Sequence, residues 1–372
     1  MFDTLAHQAL SPSTVGLFVG CGGLDFGFQE QGFNLLWSNE LSTDAANSYE
    51  QLTKHQVTVG DIWTAIERIP EAEVIIGGPP CQAFSLVGKR LDQDPRAELV
   101  FAYFESVKKL RPAAFVMENV PGILASSING VKLIDYLQRQ YEDLGYDVTL
   151  LKLNAADYGV PQRRKRVFLV GTRGLDRKFT MVAPEIFKES LGLAEITTVS
   201  DALSDLPSPV SKQTEFAAYR SNPKGPFQRM MRGASKQVSL HQMPTMSKLD
   251  QEFVRHIPPG GNYTSIPDEI STSRIMRIKS TGGRTTTYGR LHPDQPGYTL
   301  NTYFNRPNVG ANYHYKEERL ITVREAMRIQ SFPDWFTPTF TNQRSLHMQV
   351  GNAVPPLLAR AVAGSVAECL KK

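Results

Sequence analysis

The stretch Val15-Gly16-Leu17-Phe18-Val19-Gly20-Cys21-Gly22-Gly23-Leu24-Asp25 decides the fold. Its apolar start is short enough for a buried strand, its glycines break that strand, and helical spacing resumes from Asp25 to Gln31. Apolar runs of the same kind recur at Val74 to Ile76, Ala113 to Met117 and Val167 to Val170, and read as buried parallel strands. Helical spacing fills intervals at Thr43 to Leu52, Glu98 to Leu110 and Val131 to Leu144. This alternation over residues 15 to 170 predicts an α/β fold, a doubly wound and mostly parallel sheet that binds ligands at the carboxyl ends of its strands.

Outward from that core the pattern changes. After Gly171 Pro, Gly, Ser and Thr become frequent, as in Leu206-Pro207-Ser208-Pro209 and His256-Ile257-Pro258-Pro259-Gly260-Gly261, which predicts a second, smaller, loop- and β-rich domain. Helical spacing returns at Thr322 to Gln330 and Pro356 to Leu370, the latter read as a final helix packing back on the first domain. A chain of 372 residues exceeds what one core usually serves. The expected division is residues 1–190, 191–320 and 321–372, the last a hinge with the helix that returns to the first domain. With 41% apolar and 21% charged residues there is ample material for a core.

The net charge of +4 is small, but Pro207 to Leu300 holds 13 Lys and Arg against 6 Asp and Glu, so the middle of the chain is the basic part. Such a region is either a solvated surface or a face that neutralises phosphates. The first fourteen residues lack the pattern of a leader peptide, and no run approaches the length of a bilayer span, so a soluble, cytoplasmic protein without a membrane partner is expected. Cys21, Cys81 and Cys369 are odd in number and far apart, which argues against disulfides and against a metal site.

The turn Gly20-Cys21-Gly22-Gly23 lets backbone approach a ligand where a side chain would collide, and a nucleotide-like cofactor is implied. A dinucleotide is disfavoured, because its fingerprint wants a third glycine where this chain has Asp25. Glu40, twenty residues on, is spaced for ribose hydroxyls or is an ordinary surface carboxylate. Asp61-Ile62 either meets the edge and face of an adenine or starts a helix as its cap.

Gly77-Gly78-Pro79-Pro80-Cys81-Gln82-Ala83-Phe84-Ser85 follows the second apolar run, on the ligand side of the sheet. Glycines allow close approach and paired prolines stiffen the turn, which suits a thiol held as a nucleophile. Cys21 and Cys369 read as small buried hydrophobes.

This loop resembles the active-site segment of the cytosine carbon-5 DNA methyltransferases. Further motifs agree in order: Val15 to Gly27, Met117-Glu118-Asn119-Val120, Gln162-Arg163-Arg164-Lys165-Arg166, Arg290-Leu291-His292-Pro293 with Tyr298-Thr299-Leu300, and Gln349-Val350-Gly351-Asn352-Ala353-Val354-Pro355. The likeness covers about Val15 to Gly171 and Arg290 to Ala363. It departs at Gly16, where the family usually has an acidic residue.

The resemblance implies S-adenosyl-L-methionine as cofactor, contacted by Phe18, Gly20, Gly22, Gly23, Glu40, Asp61, Ile62, Pro79, Leu99, Asn352 and Val354. It implies Cys81 as nucleophile toward carbon 6 of cytosine, Arg164 and Arg166 as groups that assist it, and Glu118 as the residue that meets ring nitrogen 3, with burial expected to keep its proton available. Double-stranded DNA is the implied partner, with the target base flipped out of the stack. Gln82, Ser85 and Arg96 resemble family residues that touch DNA, and Arg274, Arg277 and Arg284, with Lys279, lie in the basic region where sequence readout is expected. A bland alternative for Thr281 to Tyr288 is an exposed β-hairpin without a role. A monomer is expected, alongside a restriction endonuclease that shares the recognition site without forming a stable complex. The rivals are a tRNA cytosine methyltransferase on the same scaffold, against which the long middle region argues, and a catalytically dead DNA-binding relative, against which the intact loops argue.

Overall fold

Seven strands build the central sheet: β1 (Ser13–Leu17), β2 (Asn34–Glu40), β3 (Thr58–Val59), β4 (Val74–Gly77), β5 (Ala114–Asn119), β6 (Asp147–Asn154) and β7 (Lys165–Thr172). Their order in this computed structural model, which describes residues 11–80, 98–128, 130–210 and 216–371, is β3-β2-β1-β4-β5-β7-β6. β1 pairs in parallel with β2 on one side and β4 on the other, and β4 with β5. The strand order therefore reverses at β1, which makes the gap between the ends of β1 and β4 the switch point of the sheet.

The fourth predicted strand corrects the sequence reading in direction. β7 is antiparallel to β5, with Phe168 opposite Glu118 and Val167 opposite Asn119. Only residues 155–164 separate it from β6, too few for the crossover that a parallel partner needs. β2 and β6 escaped the search for apolar runs. β2 buries Ser38 and Asn39, which is tolerable because Ser38 Oγ meets Tyr49 Oη at 2.7 Å and Asn39 Nδ2 donates to the carbonyls of Thr58 and Gly60.

The helices that spacing predicts in this part fall within a residue or two of it, α1 (Gly23–Gln29), α2 (Thr43–Thr53), α4 (Glu98–Leu110) and α5 (Leu133–Asp143), and the single turn α3 (Ile62–Ala65) starts after Asp61. Val100, Tyr103, Phe104 and Val107 of α4 and Leu133, Leu137 and Tyr141 of α5 pack on Ile75, Phe115, Met117 and Leu169 of the sheet. Each such buried side chain contributes roughly 2 kcal/mol. Phe115 and Tyr141 lie 4.1 Å apart between ring centroids, and Tyr103 Oη donates to the carbonyl of Ile75, whereas Tyr141 Oη has no hydrogen-bond partner among the described residues.

Contacts divide the chain into two compact units of nearly equal length: Met1–Leu153, Lys165–Ala183 and Leu358–Lys372 in one, Asn154–Arg164 and Pro184–Leu357 in the other. Residues 154–164 and 321–357, read from sequence as parts of the catalytic domain and the hinge, group with the second unit. That unit holds α6 (Pro184–Ser190), α7 (Val199–Leu203), α8 (Pro226–Arg232), α9 (Lys248–His256), α10 (Ser273–Thr281), α11 (Val323–Ile329) and α12 (Gln343–Asn352), joined by long loops and by paired strands of two residues. Buried ion pairs lie beside its apolar contacts. Arg328, fully buried, joins Asp205 at 3.0 Å to Asp334 at 2.6 Å, and Arg319 grips Glu325, which also completes a capping box with Thr322 at the start of α11.

The last helix, α13 (Pro356–Leu370), belongs to the first unit, where Gly27 of α1 approaches Ala359 so closely that a Cβ would clash at 2.4 Å. One expectation is corrected here. Gln343–Leu370 is 28 residues long and apolar enough to cross a membrane by length and composition, although 67% of its most apolar window is buried within the protein. Packing in a core accounts for that apolarity, and Ala353-Val354-Pro355 breaks the helix before α13.

Candidate active site

The carboxyl ends of β2, β1, β4 and β5 lie side by side in that order, and most of the predicted site residues of the first unit sit on them or just beyond. After β1, Phe18 takes φ 55°, Gly20 φ 55° and Gly22 φ 94°, a succession of left-handed residues that folds the chain back into α1. Glycine adopts this conformation freely, whereas Phe18 is held in it by packing against the core. Gly22 is the N-cap of α1 and Gly23 its first residue, so the loop presents backbone and the positive end of a helix.

Glu40 ends β2 and ties this loop down. Its Oε2 accepts from the Gly20 N–H at 2.8 Å and its Oε1 from the Ser42 N–H at 2.9 Å. A carboxylate oxygen accepts more than one hydrogen bond, so capacity remains for the hydroxyls of a ribose. Asp61 caps α3 by accepting from the Trp63 N–H at 3.0 Å, the helix-cap alternative of the sequence reading, with its carboxylate still exposed. Ile62 is 2% exposed and belongs to the core, while its neighbour Trp63 and Leu41, next to Glu40, stand out in solvent. Leu99 of α4 is half buried against the same core.

Pro79 is buried and its carbonyl accepts from Asn119 Nδ2 at 2.9 Å, which fixes the start of the nucleophile loop to the end of β5. Sequence reasoning passed over Asn119. Its signal was present, a polar residue directly after Glu118 at a strand end beside a Pro-Pro turn. Cys81 itself, with Gln82, Ser85 and Arg96, lies outside the described residues.

Glu118 is 8% exposed and its Oε1 lies 2.7 Å from Arg166 Nε. Gly78 makes room for it, since a Cβ there would come within 3.0 Å of Glu118 Oε2. Burial pulls the Arg166 guanidinium below its ordinary pKa and Glu118 pulls it back. The site is thus a charged pair beside a fixed backbone turn, suited to hydrogen bonding a polar ring edge.

The other predicted residues lie in the second unit. Arg164 is fully buried, and its two terminal nitrogens donate to the carbonyls of Leu300 at 2.9 Å and Gly351 at 2.7 Å. Gln162 accepts from the Leu300 N–H, so both side chains of the Gln-Arg segment clamp one stretch of backbone. Asn352 is the exposed last residue of α12 and Val354 is buried just after it. Arg274 and Arg277 project into solvent from α10, whose Ile275 and Ile278 face the core, and Arg284 is exposed in the turn that follows. A helix and turn therefore replace the hairpin alternative for this segment. Lys279 is tied to Asp268 at 2.6 Å. Among the described residues no His, Cys, Asp or Glu cluster has the makings of a metal site.

The profile of the C-5 cytosine-specific DNA methylase family matches residues 13–368. The chain is 31% identical to the type II methyltransferase M.AgeI of Thalassovita gelatinovora, over 95% of this chain and 98% of that protein. It is 33% identical to the type II methyltransferase M.DdeI of Desulfomicrobium norvegicum, over 94% of this chain and 87% of that one. Among solved structures, a proposed prophage DNA modification methyltransferase (E. coli) superposes with a TM-score of 0.73 at 24% identity, covering 97% of this chain and 100% of its own. The S. pombe Dnmt2 methyltransferase superposes with a TM-score of 0.63 at 13% identity, covering 96% and 98%, and shares the fold.

Proposed function

The chain belongs to the C-5 cytosine-specific DNA methylase family and is a DNA cytosine-5 methyltransferase, and on that premise we propose that it methylates a cytosine flipped out of duplex DNA through a covalent bond to Cys81. The observation that carries the mechanism is the Glu118–Arg166 pair at the end of β5, beside the Pro79 carbonyl held by Asn119, two residues before Cys81.

The glycine loop, with Glu40 fastened beneath it and exposed apolar side chains at Leu41 and Trp63, fits S-adenosyl-L-methionine, whose positively charged sulfur supplies the methyl group when bound. Cys81 as thiolate adds to carbon 6 of the ring, which turns carbon 5 into a nucleophile. Glu118 hydrogen-bonds ring nitrogen 3 and passes it a proton as charge builds there. Closure over the extruded base removes water and favours the protonated carboxyl that this step needs. Arg166 holds Glu118 in place. After methyl transfer, water takes the proton from carbon 5, ring nitrogen 3 returns its proton to Glu118, and the cysteine leaves as thiolate, which restores the ring. Arg164, engaged with backbone carbonyls, acts as a positioning residue.

The second unit is the target-recognition region. Arg274, Arg277 and Arg284 are cations free of ion pairs among the described residues and are suited to phosphate or guanine edges, whereas Lys279 is occupied by Asp268. The enzyme acts as a monomer in the cytoplasm, alongside an endonuclease with the same recognition site. Incubation with S-adenosyl-L-methionine and duplex DNA, followed by bisulfite sequencing, should mark one cytosine within a fixed sequence. Methylation of tRNA in its place would overturn the reading.

A further inference from the structure

Beneath the glycine loop lies a carboxyl group that the proposed mechanism does not use. Asp25 is the third residue of α1 and is wholly buried. Its Oδ1 accepts from Tyr49 Oη at 3.1 Å, Tyr49 in turn meets Ser38 Oγ at 2.7 Å, and Oδ2 has no hydrogen-bond partner among the described residues. Gly16 of β1 is what admits this group, since a Cβ there would stand 2.1 Å from Asp25 Oδ1. Helix, sheet and α2 are all shaped around one acid that is only half satisfied.

A buried, half-satisfied carboxyl is costly to ionise, and burial pushes Asp25 up to about 7. Tyr49 is the titratable group that faces it directly. The other elements around it bring Cys21 in the loop, whose thiol is pushed up to about 12, Glu40 from β2 on the Gly20 N–H, His55 beside Tyr49, and the Glu30–Arg360 pair at the far end of α1. None of these places a cation against the Asp25 carboxyl.

We infer that Asp25 is a positioning residue that lets the glycine loop distinguish the cationic methyl donor from its neutral thioether product. Ionised Asp25 attracts a ligand with a positively charged sulfur and is indifferent to one whose sulfur is neutral, S-adenosyl-L-homocysteine. Binding of the cation favours loss of the Asp25 proton, and binding of the product does not. Discrimination then grows with pH through neutrality, which helps product leave and fresh donor enter. This rests on the proposal that the loop holds S-adenosyl-L-methionine.

The test is equilibrium binding of both ligands to the full-length protein without DNA, from about pH 6 to about pH 8. The ratio of product to donor dissociation constants should rise about three- to tenfold across that range in the wild type and stay near level in Asp25→Asn. Any titration of the ligand amino groups, Glu40, Cys21 or His55 is common to both proteins and cancels in the comparison. Tyr49→Phe removes the hydrogen bond that favours the ionised form, so its rise should move to higher pH. Equal slopes in wild type and Asp25→Asn, with both ligands bound, would overturn the inference and leave the cofactor assignment standing. Failure of the wild type to bind either ligand would overturn both.

Discussion

Arg166 reaches Glu118 because β7 runs against β5, so that the start of one strand lies beside the end of the other, and the two side chains close to 2.7 Å. A parallel β7 would have put the arginine beside the amino end of β5, away from Glu118. Replacing Glu118 by Gln keeps the shape but removes the proton donor and leaves Arg166 buried without its counter-charge. The expected result is a fall in kcat of about 10²- to 10⁴-fold with donor affinity unchanged. Single-turnover methyl transfer together with donor titration separates the two quantities.

Asn119→Ala releases the Pro79 carbonyl and with it the start of the nucleophile loop. The lost bond costs about 1 kcal/mol of stability, while kcat should drop by more than the roughly fivefold that this energy corresponds to, because reacting atoms misplaced by a fraction of an ångström lose more than a bond's worth. Thermal melting and steady-state kinetics on the same sample check both parts.

Asp25 also makes stability depend on pH. Its ordinary pKa is 3.8 and burial pushes it up to about 7, so the folded chain holds a proton that the unfolded chain releases. The stabilisation from that proton is complete below about pH 4, declines as pH rises to about 7 and is absent above, a change of roughly 4 kcal/mol at most. Asp25→Asn should therefore gain on the wild type steadily between about pH 4 and about pH 7, and hold level above, in denaturant melts. A constant difference across that range would contradict the shift.

In the second unit, Arg328 is the centre of a buried charge cluster with Asp205 and Asp334. Truncation to Ala removes the cation they share, leaving Asp205 with Arg232 and Asp334 with Tyr219 and, at 4.0 Å, Arg324. The expected destabilisation is about 3–5 kcal/mol, readable as a lowered midpoint in urea.

Legibility of the sequence followed apolar runs and glycines. Val15, Val74 and Phe115 announced their strands because buried parallel strands are continuously apolar, and α4 and α13 fell on their predicted bounds because one face of each repeats at helical spacing. Ser38 and Asn39 hid β2, since their burial depends on partners distant in sequence, Tyr49, Thr58 and Gly60. The direction of β7 was encoded in the length of a connection and in no residue type. Glu118 and Arg166 were named as candidates, but their pairing and the part of Asn119 are tertiary facts. Arg164 was read beside Arg166 as an aid to the thiol, and its burial against Leu300 and Gly351 depends on chain more than a hundred residues away.

The central claim is a bond between Cys81 and carbon 6 of the target base. Duplex DNA carrying 5-fluorocytosine at the target, incubated with S-adenosyl-L-methionine, blocks the last step because fluorine cannot leave as a proton. Mass spectrometry of the denatured, protease-digested mixture should find the methylated base attached to the peptide containing Cys81, and nothing attached in Cys81→Ser. Methyl transfer to ordinary cytosine at an undiminished rate by Cys81→Ser, with no trapped adduct in the wild type, would contradict the account.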